Sequence, residues 1–324
     1  MRRIRYHSYG GPEVLALEEA PVPVPQSGQV LIRAEEIAAN FVDTQLRRGL
    51  APAELYPRPF PRPLTGDVVG TVEAVGPDTD PGLVGRRVAA STEDAFADLT
   101  VADARWLVPV PDGLGAGTAG ALPMVAPVAL GTLRAGRVAR GETVLVHSAA
   151  GTIGHLAVQL AKVLGAGTVI ATAGTAAKLE FARSHGADIG INYTDEDWPD
   201  QVRAAAPAGV DVVLDATGGE ILRRSLEVLA PYGRLVAYGA ASGELGSVPV
   251  ADLFALRSVT GYSFLAARAA EPEQALEDLA ELTRYATRGR LRAAVHARLP
   301  LTGTAEAHRL LESRAHQGRV VVVP

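Results

Sequence analysis

Between Val146 and Lys162 the chain reads VHSAAGTIGHLAVQLAK, an apolar run, a turn of small residues with Gly151 and Gly154, then apolar residues at helical spacing. Strand, small-residue turn and helix in that order suit one kind of chemistry. Gly151 lets the main chain approach a pyrophosphate, Gly154 lets the helix pack tightly on the strand, and the free amides of the helix N-terminus face the negative charge. A bare glycine pattern is weak, and Ala149 stands where the first glycine of the common fingerprint would be; the position at the first strand-to-helix junction of a parallel run strengthens it. Roughly 20 residues on, NAD binders usually place an acid for the ribose hydroxyls. Here the second strand ends TVIATAGTAAK, the position is Gly174, and no acid follows until Glu180. Glycine leaves room for a 2′-phosphate, and Lys178 stands one helical turn on to pair with it, so NADP(H) is the expected cofactor.

Such a turn needs a parallel sheet behind it. After PVPDGLG (Pro109–Gly115), apolar runs alternate with helical stretches. Strands are expected at Thr143–Ser148, Thr168–Thr172, Ile189–Asn192, Asp211–Asp215, Arg234–Tyr238 and Ser258–Gly261. Helices are expected at Ile153–Leu164, Ala176–His185, Asp195–Ala206, Glu220–Leu229 and Glu271–Arg288. Runs such as VVLDAT and RLVAYG do not alternate, which suits strands covered on both faces, and the whole predicts an α/β, doubly wound parallel sheet. The earlier part reads as short strands broken by Gly and Pro, as in a small β barrel or sandwich. Leu50–Gly66 carries Pro52, Pro57, Pro59, Pro61 and Pro63 and is expected to be a surface loop. The tail returns to strand (Ala293–Leu299), helix (Thr304–Arg314) and a last apolar run, Arg319–Val323.

At 324 residues the chain is long enough for two domains. A formal net charge of −5 without a basic cluster argues against nucleic acid as the main partner. No stretch approaches the roughly 18 apolar residues of a membrane span, and the N-terminus lacks the apolar region of a secretory signal. Cysteine is absent, which removes disulfides, thiolate ligands and a catalytic cysteine together. A cytoplasmic enzyme is expected.

Taken together, YGGPEVL, NFVDTQLRRG, TGDVVGTVEAVG, LVPVPDGL, VHSAAGTIGHLAVQLAK, INYTDED, LDATGG and AHRLLESRAHQGRVVVVP resemble the zinc-independent quinone oxidoreductase branch of the medium-chain dehydrogenase/reductase superfamily. The resemblance spans nearly the whole chain. It implies a GroES-like β-barrel catalytic domain, residues 1–122 completed by 264–324, beside a Rossmann NADP-binding domain over 123–263, and homodimers formed through the Rossmann sheet edge. Zinc-dependent relatives carry Cys at the start of the NFVD segment and Gly-His-Glu where this chain has Gly66-Asp67-Val68. With Asn40 in the cysteine region and seven scattered histidines, no metal ligand set is expected. The resemblance further implies that Ala150, Gly151, Thr152 and Ile153 border the pyrophosphate. Gly174, Lys178 and Tyr193 match positions that hold the 2′-phosphate. Thr217, Tyr238, Gly239 and Ala240 lie along the nicotinamide half, Ser263 and Phe264 near its amide, and Arg319 closes over the cofactor. Tyr193 and Tyr238 as packed aromatics, and Thr217 as a strand-end cap, are the plain alternatives.

Without a metal, flavin signature or thiol, the cofactor must do the hard step. A quinone or an α,β-unsaturated ketone accepts hydride and spreads charge onto oxygen, and water protonates the product. Asn40 and Asp43 are the expected catalytic residues, Asn40 as donor to the acceptor's oxygen or as a group that positions the nicotinamide; Asp43 has the alternative of fixing Arg47 one turn along. Asp67 reads as structural, and His147 as a satisfied core histidine. Gln45 and Ala51 stand where quinone reductases carry tyrosines, and Ala126-Pro127-Val128-Ala129-Leu130 replaces a GLTAY-like segment. The acceptor pocket, expected from Gln45, Ala51, Tyr56, Val128 and Leu130, is therefore more apolar. Two further readings remain, a biosynthetic enoyl reductase and an NADPH-binding protein without turnover; Thr152 at a frequent glycine position and the lost tyrosines support the last.

Overall fold

A computed structural model describes residues 1–50 and 59–324. The chain divides into two compact units, Met1–Met124 with Leu279–Pro324, and Val125–Asp278.

The first unit opens with β1 (Arg2–Tyr6), β2 (Leu15–Glu19) and β3 (Gln29–Ala39), followed by helix α1 (Phe41–Arg48). Then come β4 (Arg62–Pro63), β5 (Gly66–Val75), β6 (Arg87–Thr92), β7 (Leu99–Asp103), β8 (Val108–Pro109) and the short α2 (Ala116–Ala119). The second unit runs α3 (Val125–Ala135), β9 (Thr143–Val146), α4 (Gly154–Val163), β10 (Thr168–Ala173), α5 (Ala176–Ser184), β11 (Ile189–Asn192), α6 (Trp198–Ala205), β12 (Val210–Asp215), α7 (Gly219–Ser225), β13 (Leu229–Ala237), β14 (Ser258–Gly261) and α8 (Phe264–Ala270). Helix α9 (Pro272–Thr287) leads back to the first unit, which ends with β15 (Val295–Pro300), α10 (Thr304–Glu312) and β16 (Arg319–Val323).

Strand β3 organises the first unit. It pairs antiparallel with β5, β7 and the C-terminal β16, in a sheet ordered β15-β16-β3-β5-β6-β8. Its inner residues Val30, Ile32 and Ile37 join Leu64, Val68, Val88, Phe96, Val320 and Val322 in one core. Each such side chain contributes about 1.5–3 kcal/mol by leaving water, and together they fix the end of β3, where Asn40 sits.

The second unit holds the six predicted strands in one parallel sheet, ordered β11-β10-β9-β12-β13-β14. Val144, Leu145, Val146, Val212, Val213 and Leu214 are all fully buried, because helices cover both faces. The order reverses between β9 and β12, the place where sheets of this kind bind ligands.

Two helices differ from the sequence expectation. The one expected from Asp195 starts at Trp198, because Asn192 closes an Asx turn on the Thr194 amide (3.1 Å) and on Asp195 (3.0 Å). The one expected over Glu220–Leu229 is α-helical to Ser225 and continues as a 3-10 turn over Leu226–Val228 before β13 begins at Leu229. Helix α9 matches the one expected over Glu271–Arg288 to within a residue at each end, while α8, which was not expected, stops just before Pro272. The start of α9 stays with the second unit, where Asp278 accepts hydrogen bonds from Arg134 and Gln274.

Candidate functional site

The turn after β9 contains two glycines with different reasons to be glycine. A Cβ on Gly154 would lie 2.2 Å from the Ser148 carbonyl oxygen and 2.8 Å from the Ala149 Cα, so packing demands glycine there. A Cβ on Gly151 would meet only the Ser148 carbonyl oxygen, at 3.2 Å. That contact is tight but single, so packing weighs less on Gly151, which is partly exposed, than on Gly154. Helix α4 starts at Gly154 with no side-chain cap. The amides of Gly151, His155 and Leu156 are taken by the carbonyls of Ser148, Gly151 and Ile153, which leaves those of Ile153 and Gly154 as the donors this helix start can offer an anion.

The other expected cofactor residues follow the carboxyl ends of consecutive strands. Ala173 and Asn192 are the last paired residues of β10 and β11, so Gly174 and Tyr193 leave the sheet side by side. A Cβ on Gly174 would sit 3.5 Å from Thr194 Cγ2 and 3.7 Å from Tyr193 Cε2. Lys178 lies in the first turn of α5, whose N-cap Thr175 accepts from the Lys178 amide. Thr217 follows β12, Tyr238, Gly239 and Ala240 follow β13, and Ser263 and Phe264 follow β14. Asp215 shapes this edge. Its buried carboxylate accepts from the amides of Thr217 (3.0 Å) and Gly218 (2.9 Å), while burial pushes its pKa up. Burial first, then the charge of Asp215, also raises the Tyr238 phenol, which stays protonated and able to donate. Ser263 is the N-cap of α8, its hydroxyl accepting from the Ala266 amide at 3.4 Å. Ser148, which no sequence pattern singles out, has φ +51° and its hydroxyl lies 3.2 Å from Thr217 Oγ1.

His147 is a satisfied core histidine. Its Nδ1 lies 2.7 Å from Thr172 Oγ1, its Nε2 2.8 Å from Ser225 Oγ, and its ring packs edge-on to Trp198. Burial pushes its pKa down to about 3, and burial with the charge of Arg47 does the same for His308. Both folded values lie below the unfolded value, so their stabilisation is present above pH ~6.5 and is lost as the pH falls towards 3. Asp67, raised to about 6, works in the opposite sense, its stabilisation being lost as the pH rises through that value. Urea unfolding between pH 7 and pH 5 should therefore show a histidine contribution of at most about 1.4 kcal/mol per pH unit for each imidazole. His147→Asn should flatten the profile relative to wild type; an identical slope would contradict a neutral buried imidazole.

In the first unit, Asn40 is the N-cap of α1, yet its side chain makes no capping hydrogen bond. Asparagine at this position ordinarily binds the helix's own amides. Here the side chain is buried and Nδ2 has no hydrogen-bond partner. It lies near enough to Asp67 to favour that carboxylate's charged form, but outside hydrogen-bond alignment, since Asp67 Oδ1 is also unpaired. Asp43 is buried, and its carboxylate accepts from the Thr65 amide (2.8 Å) and hydroxyl (2.8 and 2.9 Å). Arg47 bonds His308, the Gly10 carbonyl and Glu312 rather than Asp43. Gln45 is partly exposed and donates to Thr44 Oγ1.

Arg319 differs from the role expected of it. The side chain is fully buried, Nη1 donates to the Gly117 carbonyl, and Nη2 donates to the Gly120 carbonyl and to Asp67 Oδ2 at 3.3 Å. It holds the interior of its own unit and presents no surface to a cofactor. Leu130 is also fully buried, because α3 turns Ala126, Ala129, Leu130 and Leu133 to the core and leaves Val128 partly exposed. Ala51 and Tyr56 lie outside the described residues.

Two family models match, the alcohol dehydrogenase GroES-like domain over residues 26–112 and the zinc-binding dehydrogenase domain over 152–281. A quinone oxidoreductase of Pseudomonas aeruginosa is 35% identical, the match covering 100% of this chain and 99% of that protein. A 2-haloacrylate reductase of a Burkholderia species is 33% identical over 98% of this chain and 97% of its own length. The Escherichia coli quinone oxidoreductase solved in complex with NADPH has a TM-score of 0.92 at 31% identity, with both chains covered in full. This chain belongs to the quinone oxidoreductase branch of the medium-chain dehydrogenase/reductase superfamily. Its residues do not fit the zinc that one of those family names implies. The sequence has no thiolate, and no group of three or more acidic or histidine ligands occurs among the described residues. At the positions that compare with zinc ligands stand an amide and a carboxylate already held by the cation Arg319. Nor, among the described residues, is any helix long and apolar enough to cross a membrane.

Proposed function

We propose that this member of the family is an NADPH-dependent reductase whose acceptor is a carbon–carbon double bond conjugated to a carbonyl, in a quinone or an α,β-unsaturated carbonyl compound. The observation that carries the reading is the open glycine Gly151 at an uncapped helix start, with Gly174 and Tyr193 beside it past the strand ends. When bound, NADPH supplies the hydride. Gly151 and the amides of α4 hold the diphosphate, and Lys178 and Tyr193 hold the 2′-phosphate, for which no acid at position 174 competes. Tyr238, Gly239, Ala240, Ser263 and Phe264 orient the nicotinamide half. Asn40 brings a desolvated, unpaired amide donor to the acceptor's oxygen, where charge collects as phenolate or enolate. Solvent then protonates the product. The named activities of the relatives support this acceptor class, since quinones and haloacrylates share a polarised conjugated double bond.

The test is NADPH oxidation with naphthoquinones, cyclic enones and 2-haloacrylate against saturated ketones. Turnover is expected with the conjugated acceptors alone. Asn40→Ala should lower kcat about 100-fold and leave the NADPH Kd unchanged. Tight NADPH binding with no oxidation by any acceptor would instead mark a binding protein without turnover.

The same reading includes a homodimer. Strand β14 is a sheet edge with Ser258, Thr260 and Gly261 exposed, and Tyr232 (73%), Phe254 (81%) and Leu256 (53%) stand exposed nearby. An unprotected edge flanked by apolar side chains fits a second copy of this chain, paired strand to strand about a two-fold axis. Light scattering should give a dimer for wild type and a monomer for Phe254→Arg/Thr260→Lys; monomeric wild type would refute the assignment.

A further inference from the structure

Ser148 carries the strain of the cofactor turn. Its φ of +51° lies in the left-handed region, which a non-glycine residue adopts at a cost of about 1–3 kcal/mol and keeps only when its surroundings impose it. Those surroundings are on both sides. The amide of His147 donates to Leu214 on β12 and the amide of Ala149 to Thr172 on β10, both at 3.0 Å. The Ser148 carbonyl accepts from the Gly151 amide at 2.9 Å, and the same oxygen is the atom that excludes a Cβ from Gly154. The direction of that carbonyl therefore sets the shape of the turn. Beyond the last β9–β12 pair, Val146 with Leu214, the Ser148 hydroxyl lies 3.2 Å from Thr217 Oγ1. Thr217 is itself fixed, its amide donating to Asp215 and its carbonyl accepting from the Ser242 amide at 2.9 Å. The two hydroxyls thus join the strands on either side of the point where the sheet order reverses.

We propose that Ser148 is a positioning residue of the dinucleotide site, its hydroxyl bond to Thr217 clamping the left-handed residue that holds the Gly151 turn in its binding shape. The inference rests on the reading of that turn as the dinucleotide site. A clamp of this kind keeps the binding-competent form populated before the ligand arrives, and loosening it weakens apparent affinity by the fraction lost. Alanine at 148 keeps the strain and loses the clamp. Glycine loses both, because left-handed backbone suits it.

Calorimetric titration with NADPH and with NADH, alongside thermal melting of each variant, tests this. Wild type without measurable NADPH binding would sink the site reading itself. Given wild-type binding, Ser148→Ala should weaken NADPH and NADH alike by about tenfold, and Ser148→Gly should stay within about threefold of wild type. Thr217→Val, which also loses its hydroxyl bond to Asp215, should weaken binding at least as much as Ser148→Ala, adding Ser148→Ala to it should change nothing further, and adding Ser148→Gly should recover about the tenfold that the clamp supplies. Should Ser148→Ala fail to fold, the last pair of measurements decides alone. Equal affinity for Ser148→Ala and wild type, additive losses in the double variant, or no rescue by glycine would each overturn the proposal; the last would mean that the hydroxyl touches the ligand directly.

Discussion

Replacing Gly174 with aspartate is expected to reverse the coenzyme preference from NADPH to NADH. The position follows the last residue of β10, where dinucleotide sheets place the group that meets the ribose of adenosine. A Cβ there finds only ordinary contacts with Thr194 and Tyr193, so a side chain can begin at this position without a backbone clash. Two effects then act in the same direction. The new carboxylate accepts from the ribose hydroxyls of NADH, and it stands against the 2′-phosphate of NADPH, where a like-charge approach costs several kcal/mol. The ratio of kcat/KM for NADPH over NADH should fall by about 100-fold, close to 3 kcal/mol. Lys178→Ala should weaken NADPH far more than NADH, in the same direction by a smaller factor. An unchanged ratio in Gly174→Asp would remove the position from the site.

The second large effect separates the two glycines of the turn. Gly154→Ala drives a methyl group against the Ser148 carbonyl and the Ala149 Cα, backbone atoms that cannot rotate away. Overpacking of this kind costs about 1–3 kcal/mol and outweighs the roughly 1 kcal/mol that alanine gains over glycine inside a helix. A lower melting temperature is expected. Gly151→Ala meets one oxygen at 3.2 Å, a tight but much milder contact, and should melt nearer to wild type than Gly154→Ala. On the proposed reading its methyl group stands in the approach to the diphosphate, and NADPH affinity should drop about tenfold or more. Stability loss in Gly154→Ala without binding loss in a well-folded Gly151→Ala would show that the turn is merely a packing device.

The two experiments bear on different links between residues and activity. On the proposed reading, Gly174 concerns which dinucleotide is chosen, and Gly151 concerns whether one is held at all. A chain that kept Gly151-dependent binding but showed no preference at Gly174 would still be a dinucleotide protein, with its phosphate specificity placed elsewhere.

Local pattern determined much of this protein. Non-alternating apolar runs gave the six parallel strands, since burial on both faces removes polar positions from a strand. Small residues between β9 and α4, and the missing acid at 174, gave the turn and the coenzyme choice that the proposal adopts. The tertiary structure decided what depends on distant partners. Arg319 looked available in sequence, but β16 pairs with β3 and carries its guanidinium into contact with Asp67 and two carbonyls. Leu130 looked like pocket wall until the turn of α3 put it in the core. Asn40 was a candidate from the start, yet only the fold leaves its amide buried and unpaired. The left-handed Ser148 had no signal at all, because its conformation is imposed by β10 and β12, strands that flank it in space and follow it in sequence. Periodicity and turn chemistry are properties of neighbouring residues, whereas burial of a charge or strain at one φ is set by what packs against it from elsewhere in the chain.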